Sequence, residues 1–180
     1  MCGIAGAVSW TGERSTLDEP SVRAMADAMR TRGPDGDGFY RDELVLLAHR
    51  RLSIIDLDGG AQPMATSDGK LIVTFNGEIY NFAELRERLI ALGHEFRTRC
   101  DTEVILHAYR QWGRDCVAEL DGMFAFALWD RERRELLLAR DRFGKKPLYY
   151  FQRGPQLVFA STLTALLEHP SVPRALAIIA

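Results

Sequence analysis

The run Cys2-Gly3-Ile4-Ala5-Gly6-Ala7-Val8-Ser9 constrains the fold more than any other stretch, because it is short, apolar, glycine-punctuated and begins at the second residue. Such a run fits a buried strand. The N-terminus is therefore expected to lie inside the fold. When an initiator methionine is trimmed before a small side chain, Cys2 becomes the first residue and carries both a thiol and a free α-amine. That amine titrates at about 7.7 to 8.0, close enough to neutral pH to take a proton from a nucleophile and return it to a leaving amine. Nucleophile and base can then share one residue, although a cysteine at position two carries little weight alone.

The 180 residues and 47% hydrophobic content suffice for a real core, and one soluble domain is expected. Formal charge is −2, with both signs spread along the chain, which favours neither nucleic acid nor an anionic membrane as partner. Arg131, Arg133 and Arg134 are interrupted by Glu132 and followed by Glu135, as in a solvated hairpin tip. No apolar run approaches the roughly 20 residues of a membrane span, and the first ten residues do not read as a signal peptide, so a cytoplasmic location is expected. Three cysteines make no disulfide framework. His49, His94, His107 and His169 lack metal-ligand spacing, and no metal is expected.

Hydrophobic periodicity predicts a helix over Ser21–Arg30, with Pro20 suited to its start, followed by a glycine-rich turn from Arg32 to Gly38. Strands are predicted at Leu44–Ala48, Leu52–Leu57 and Leu71–Phe75. A helix capped by Asn81 with Glu84 three residues on should end at Gly93, and a second should run from about Thr102 to Trp112 and end at Gly113. A short helix near Asp115–Leu120 follows, then strands at Met123–Trp129, Glu135–Arg140, Leu148–Gln152 and Gln156–Ala160, and a helix over Thr162–His169. Strand runs flanking a helical block imply an α+β class. Pro170 and Pro173 then introduce an apolar tail, Ala175 to Ala180, too short to form a core element alone.

Several motifs occur in order: Met-Cys-Gly-Ile-Ala-Gly at the start, Arg32-Gly33-Pro34-Asp35-Gly36, His49-Arg50-Arg51-Leu52-Ser53-Ile54-Ile55-Asp56, Phe75-Asn76-Gly77-Glu78-Ile79-Tyr80-Asn81, Asp101-Thr102-Glu103, and Ala139 to Tyr150. Together they resemble the N-terminal glutaminase domain of glutamine-dependent asparagine synthetases, a class II glutamine amidotransferase of the N-terminal-nucleophile hydrolase family. The resemblance covers residues 1–173 as one domain and leaves 174–180 as the start of a linker. It implies a four-layer αββα sandwich of two mainly antiparallel sheets. One departure is Thr31, where the family usually has histidine before Arg-Gly-Pro-Asp.

By the same resemblance Cys2 attacks the side-chain amide of glutamine, forms a glutamyl thioester and releases ammonia, after which water frees glutamate. The Asn76 side-chain amide and the Gly77 backbone N–H would bind the oxyanion. Read alone, Asn-Gly is the stronger signal for a hairpin turn, and the residues that follow it reverse that reading. Arg51 would grip the α-carboxylate through paired hydrogen bonds and Asp101 would accept from the α-ammonium. Arg50 is the rival arginine, and Asp101 is also a candidate helix N-cap. Ser53, Ile54, Ile55 and Glu78 would complete the pocket. Cys100 and Cys116 read as small core or partly exposed side chains.

The resemblance further implies a synthetase domain as partner. Its Ser-Gly-Gly-x-Asp-Ser nucleotide motif does not occur here, so this domain needs no cofactor, and ATP and Mg are expected only in the absent synthetase domain. A homodimer stays open. Two other readings stand beside the glutaminase: an N-terminal-nucleophile hydrolase of another amide, and a non-catalytic interaction domain in which Met1 is retained.

Overall fold

The structure, a computed structural model, describes residues 1–10, 17–52 and 60–174. Its centre is β1 (Gly3–Ser9), every residue of which is buried. Both its edges are occupied. It pairs with β3 (Val45–Arg51) on one side and β9 (Gln156–Ala160) on the other, while β2 (Gly36–Arg41) and β8 (Tyr149–Arg153) complete a five-stranded sheet in the order β2-β3-β1-β9-β8. The second sheet has the order β4-β5-β6-β7, from β4 (Met64–Ala65), β5 (Leu71–Ile79), β6 (Gly122–Asp130) and β7 (Glu135–Arg140). All strand pairs among the described residues are antiparallel.

Side-chain alternation sends each strand's apolar residues to two faces, and both faces of each sheet are covered. Ile4, Val8, Leu47, Ile72, Ala127, Trp129 and Phe159 pack between the sheets. Outside the first sheet, Ala5, Ala7, Leu46 and Val158 meet α1 (Glu19–Asp27) and α5 (Leu163–Leu166). Outside the second, Val73, Phe75 and Phe126 meet α2 (Phe82–Ala91) and α3 (Asp101–Trp112). The layers are thus α, β, β, α, the sandwich expected from the resemblance.

Several elements differ from expectation. Helix α1 begins two residues early because Asp18 caps it, accepting from Ser21 N at 3.3 Å, with Pro20 in the first turn. The glycine-rich turn gives way at Gly36 to β2, where a Cβ on Gly38 would lie 1.7 Å from the Gln62 carbonyl oxygen. Gly38 therefore serves a close approach of two backbones, which sequence cannot distinguish from a turn. Asn81 makes no side-chain cap to α2; its amide donates to Glu119 O at 2.9 Å and accepts from Asp121 N at 3.0 Å, tying the helix start to the entry of β6. Between α3 and β6 lie a 3-10 turn and α4 (Cys116–Glu119). Of the expected strand over Leu52–Leu57, Leu52 is not in a strand and the remainder, like the tail from Ala175, lies outside the described residues. Arg131 to Glu132 and Arg133 to Arg134 form the exposed turn between β6 and β7, as expected.

A polar tie joins the two sheets at the end remote from Cys2. Trp129, on β6 and 1% exposed, donates its indole N–H to Asp42 Oδ2 at 2.7 Å, and Asp42 Oδ1 also accepts from Leu44 N and Val45 N. Asp42→Ala removes these acceptors and strands a buried donor, so it is expected to lower stability by about 2–3 kcal/mol. A lower urea midpoint with unchanged slope would show this, whereas an unmoved midpoint would mean that the tie contributes nothing.

Candidate active site

One pocket, of about 340 Å³, gathers residues far apart in sequence, from the first residues to Lys146. Cys2 enters it directly before β1, Arg51 from the end of β3, Asn76 to Glu78 from the second half of β5, and Asp101 from the first residue of α3. The pairing of β1 with β3 explains the first meeting, since Gly3 lies opposite Arg50 and so puts Cys2 beside Arg51 and Leu52. The Cys2 thiol lies 3.4 Å from Leu52 N and 3.7 Å from Leu52 O, and Arg32 Nε holds the Cys2 carbonyl at 3.2 Å. Met1, 55% exposed, sits at the lip of the same pocket.

Asn76-Gly77 lies in mid-strand and makes no hairpin turn. Asn76 is 1% exposed, yet its Nδ2 has no hydrogen-bond partner among the described residues, a costly arrangement for a buried amide. Backbone N–H groups two residues apart point to the same strand edge. Phe75 N donates to Gln62 Oε1 at 2.6 Å and Ile79 N to Asp101 Oδ2 at 3.1 Å. Gly77 N–H lies between them on that edge, beyond the end of the short β4, which reaches only Ile72 and Val73. A Cβ on Gly77 would meet Met123 O at 2.3 Å, so this close approach of β5 and β6 requires glycine. Two donors thus face the pocket from adjacent residues.

The two neighbouring arginines take opposite faces of β3. Arg50, 8% exposed, turns to α1, where it donates to Ala26 O at 3.3 Å and forms an ion pair with Asp27. Arg51 lines the pocket. Opposite it, Asp101 is 5% exposed, and burial pushes its carboxyl above the ordinary aspartate value, a shift opposed by the N–H of Ile79 and the thiol of Cys100 and reinforced by Glu78. The helix N-cap is Cys100, not Asp101, whose carboxylate reaches back to β5. Glu103 of the same motif is structural: its carboxylate accepts from Arg97 N, Thr98 N and the Thr98 hydroxyl and fixes the loop before α3. Ser53, Ile54 and Ile55 lie outside the described residues.

The structure adds pocket residues that motif reading does not single out: Gln62, Cys100, Thr102, Met123 and Lys146. Asp141 brings the last two in, because its carboxylate accepts from Phe124 N, Phe143 N, Lys145 N and Lys146 N and folds that loop against β6. His49, behind the pocket, is 1% exposed, and desolvation with the nearby Arg51 charge pushes its pKa down to about 3. It is neutral at physiological pH, bonded to Thr74 Oγ1 at 3.1 Å, and is not available as a base in that range. Among the described residues no group of three or more His, Cys, Asp or Glu could hold a metal ion. No helix among them is long and apolar enough to cross a membrane.

The model of the glutamine amidotransferase domain family matches residues 1–179. Asparagine synthetase [glutamine-hydrolyzing] 3 of Bacillus subtilis is 42% identical over 178 residues, covering 96% of this chain and 28% of that protein. Asparagine synthetase [glutamine-hydrolyzing] 1 of the same organism is 44% identical over 168 residues, covering 93% and 27%. This chain therefore spans roughly a quarter to a third of the length of such relatives. Among solved structures, a glutamine phosphoribosylpyrophosphate amidotransferase from B. subtilis superimposes with TM-score 0.70 at 19% identity, over 91% of this chain and 42% of that one. The allosteric regulatory enzyme of purine biosynthesis gives 0.72 at 20%, over 93% and 43%. At such identities these two likenesses speak for the fold.

The three cysteines are expected to react differently. Cys2 is half-buried in the pocket, whereas Cys100 and Cys116 are buried and desolvation raises both thiols, that of Cys116 to about 12. The thiolate is the reactive form. Iodoacetamide at mildly alkaline pH should therefore label Cys2 first in the native chain, as peptide mass spectrometry would show. Equal labelling of Cys116 would contradict the described burial.

Proposed function

This chain belongs to the glutamine amidotransferase domain family, and on that premise we propose that it hydrolyses the side-chain amide of glutamine to glutamate and ammonia through a thioester on Cys2. The observation that carries the reading is the meeting, in one pocket, of the Cys2 thiol with a buried Asn76 amide nitrogen that has no partner among the described residues.

In this reading, loss of Met1 frees the α-amine of Cys2, which takes the thiol proton as sulfur attacks the amide carbon. The carbonyl oxygen becomes an oxyanion between Asn76 Nδ2 and Gly77 N–H, donors fixed before the charge appears. The C–N bond then breaks, the amine returns the proton to the leaving nitrogen, and ammonia departs. Water, deprotonated by the same amine, attacks the thioester; the C–S bond breaks and glutamate and the thiol are restored. Arg51 receives the α-carboxylate, while Asp101, with Glu78 beside it, receives the α-ammonium, so free glutamine is preferred over an amide lacking either charge. Ser53, Ile54 and Ile55 complete the pocket. The neutral His49 is consistent with the amine as base.

The relatives' names and greater lengths support a further proposal, that the ammonia is consumed by an ATP- and Mg-dependent synthetase domain in a longer cytoplasmic protein. Residues 1–173 would form the glutaminase and 174–180 begin the connection.

Cys2→Ala should abolish glutamate release while the far-UV spectrum stays native, and Asn76→Ala should cut kcat by about 10² to 10³. Arg51→Ala should raise KM for glutamine far more than Arg50→Ala, whose loss should register in stability. Persisting turnover in Cys2→Ala would overturn the mechanism, and equal KM changes would overturn the choice of arginine.

A further inference from the structure

Hydrogen bonds link Asp101 to three further residues of the pocket wall, Cys100, Thr102 and Gln62. Phe75 N–H can only donate, so the group facing it at 2.6 Å is the amide oxygen of Gln62. The Gln62 amide nitrogen consequently faces Thr102 Oγ1, at 3.3 Å, and it too can only donate. The Thr102 hydroxyl, its oxygen accepting from Gln62, lies 3.3 Å from the Cys100 sulfur, where either group can donate to the other; a one-way order of donors has the hydroxyl donating to sulfur. Burial raises the Cys100 thiol above its ordinary value, which keeps it protonated near neutral pH. Its proton is then left for Asp101 Oδ1, 3.5 Å from the sulfur, while Asp101 Oδ2 receives Ile79 N–H at 3.1 Å.

We propose that Gln62, Thr102 and Cys100 form a one-way chain of donors ending on Asp101, and that it fixes the orientation and charge of the carboxylate that receives the α-ammonium of glutamine. The proposal rests on the reading of this pocket as a glutamine site. Cys100 and Thr102 are positioning residues in it: they act on substrate only through Asp101. Chains of this kind strengthen their terminal bond because each donor is polarised by the one before it. The same chain begins beside Asn76 and ends beyond Gly77, so it also sets the span between the oxyanion donors and the ammonium acceptor. Among the described residues, the ionisable side chains that line the same pocket as Asp101 are Arg51 of β3, Glu78 of β5, Lys146 of the Asp141 loop, Cys2 before β1 and Cys100 itself. From outside the first turn of α3, the thiol of Cys100 and the N–H of Ile79 reach it as donors.

The test compares glutamine with the monoamide of glutaric acid, which keeps the amide and the carboxylate but has no α-ammonium. In Cys100→Ala, KM for glutamine should rise about tenfold with kcat within about twofold, while kcat/KM for the monoamide stays within about twofold. Thr102→Val should move the same ratio in the same direction by less, and Cys100→Ser, which restores a donor, should return it to the parent value. Asp101 must be ionised to receive the ammonium, and removing a donor to its charged form raises its pKa further. The acid limb of kcat/KM for glutamine should accordingly move to higher pH in Cys100→Ala and stay in place in Cys100→Ser. Equal losses on both substrates, or an unmoved glutamine KM, would overturn the donor chain while leaving the glutaminase reading intact. A parent chain that leaves glutamine untouched would overturn both.

Discussion

The pairing of β1 with β3 and β9 is the constraint on which the rest depends. It places the first residues of the chain in the middle of a five-stranded sheet and covers them on both faces, so the residue before the strand emerges at a fixed point between the two sheets. Everything else in the pocket is positioned relative to that point. The β1–β3 register brings Arg51 alongside, the Arg32 guanidinium secures the Cys2 carbonyl, and β5 of the opposite sheet presents Asn76 and Gly77. A terminal residue is ordinarily the most mobile part of a chain. Here Cys2, next to the terminus, is as firmly placed as a residue in the middle of a strand.

The pocket is electrostatically divided. Arg51 and Lys146 supply positive charge, Asp101 and Glu78 negative charge, and the two uncharged donors of Asn76 and Gly77 supply directed dipoles. Charge paired across a low-dielectric pocket favours a zwitterion and fixes its orientation, while a neutral hydrogen-bond pair binds an anion only when one forms. The motifs around these residues do more than supply them. Glu103 builds the loop before α3, and Asp141 folds the loop that carries Lys146. A motif of several residues therefore combines one that lines the pocket with others that hold its backbone.

Much of this was legible from residue order. The buried N-terminal strand, helices α2 and α3 and strands β6, β7 and β9 follow from periodicity and from stop signals such as Gly93 and Gly113. What was not legible depends on contacts distant in sequence. β2 was hidden because Gly36 and Gly38 read as a turn, whereas Gly38 makes room for Gln62. Asn81 reads as a cap because its amide's partners, at Glu119 and Asp121, lie 38 and 40 residues away in sequence. Arg50 and Arg51 are indistinguishable as residue types, and only strand alternation sends one to α1 and the other to the pocket. Cys100 and Gln62 carry no signal alone, since their interest lies in what they touch. The four-layer arrangement and the roles at Cys2, Asn76 and Asp101 came from the family resemblance, not from periodicity.

The central claim is that a thioester forms on Cys2 as the first residue. It is tested most directly by mixing the chain with glutamine, quenching in acid within the first turnovers, and measuring the mass of the N-terminal peptide. The account predicts a glutamyl adduct on the peptide beginning at Cys2 and none on molecules that retain Met1. Glutamine consumed with no adduct on that peptide, or consumed equally well by chains that keep Met1, would contradict it.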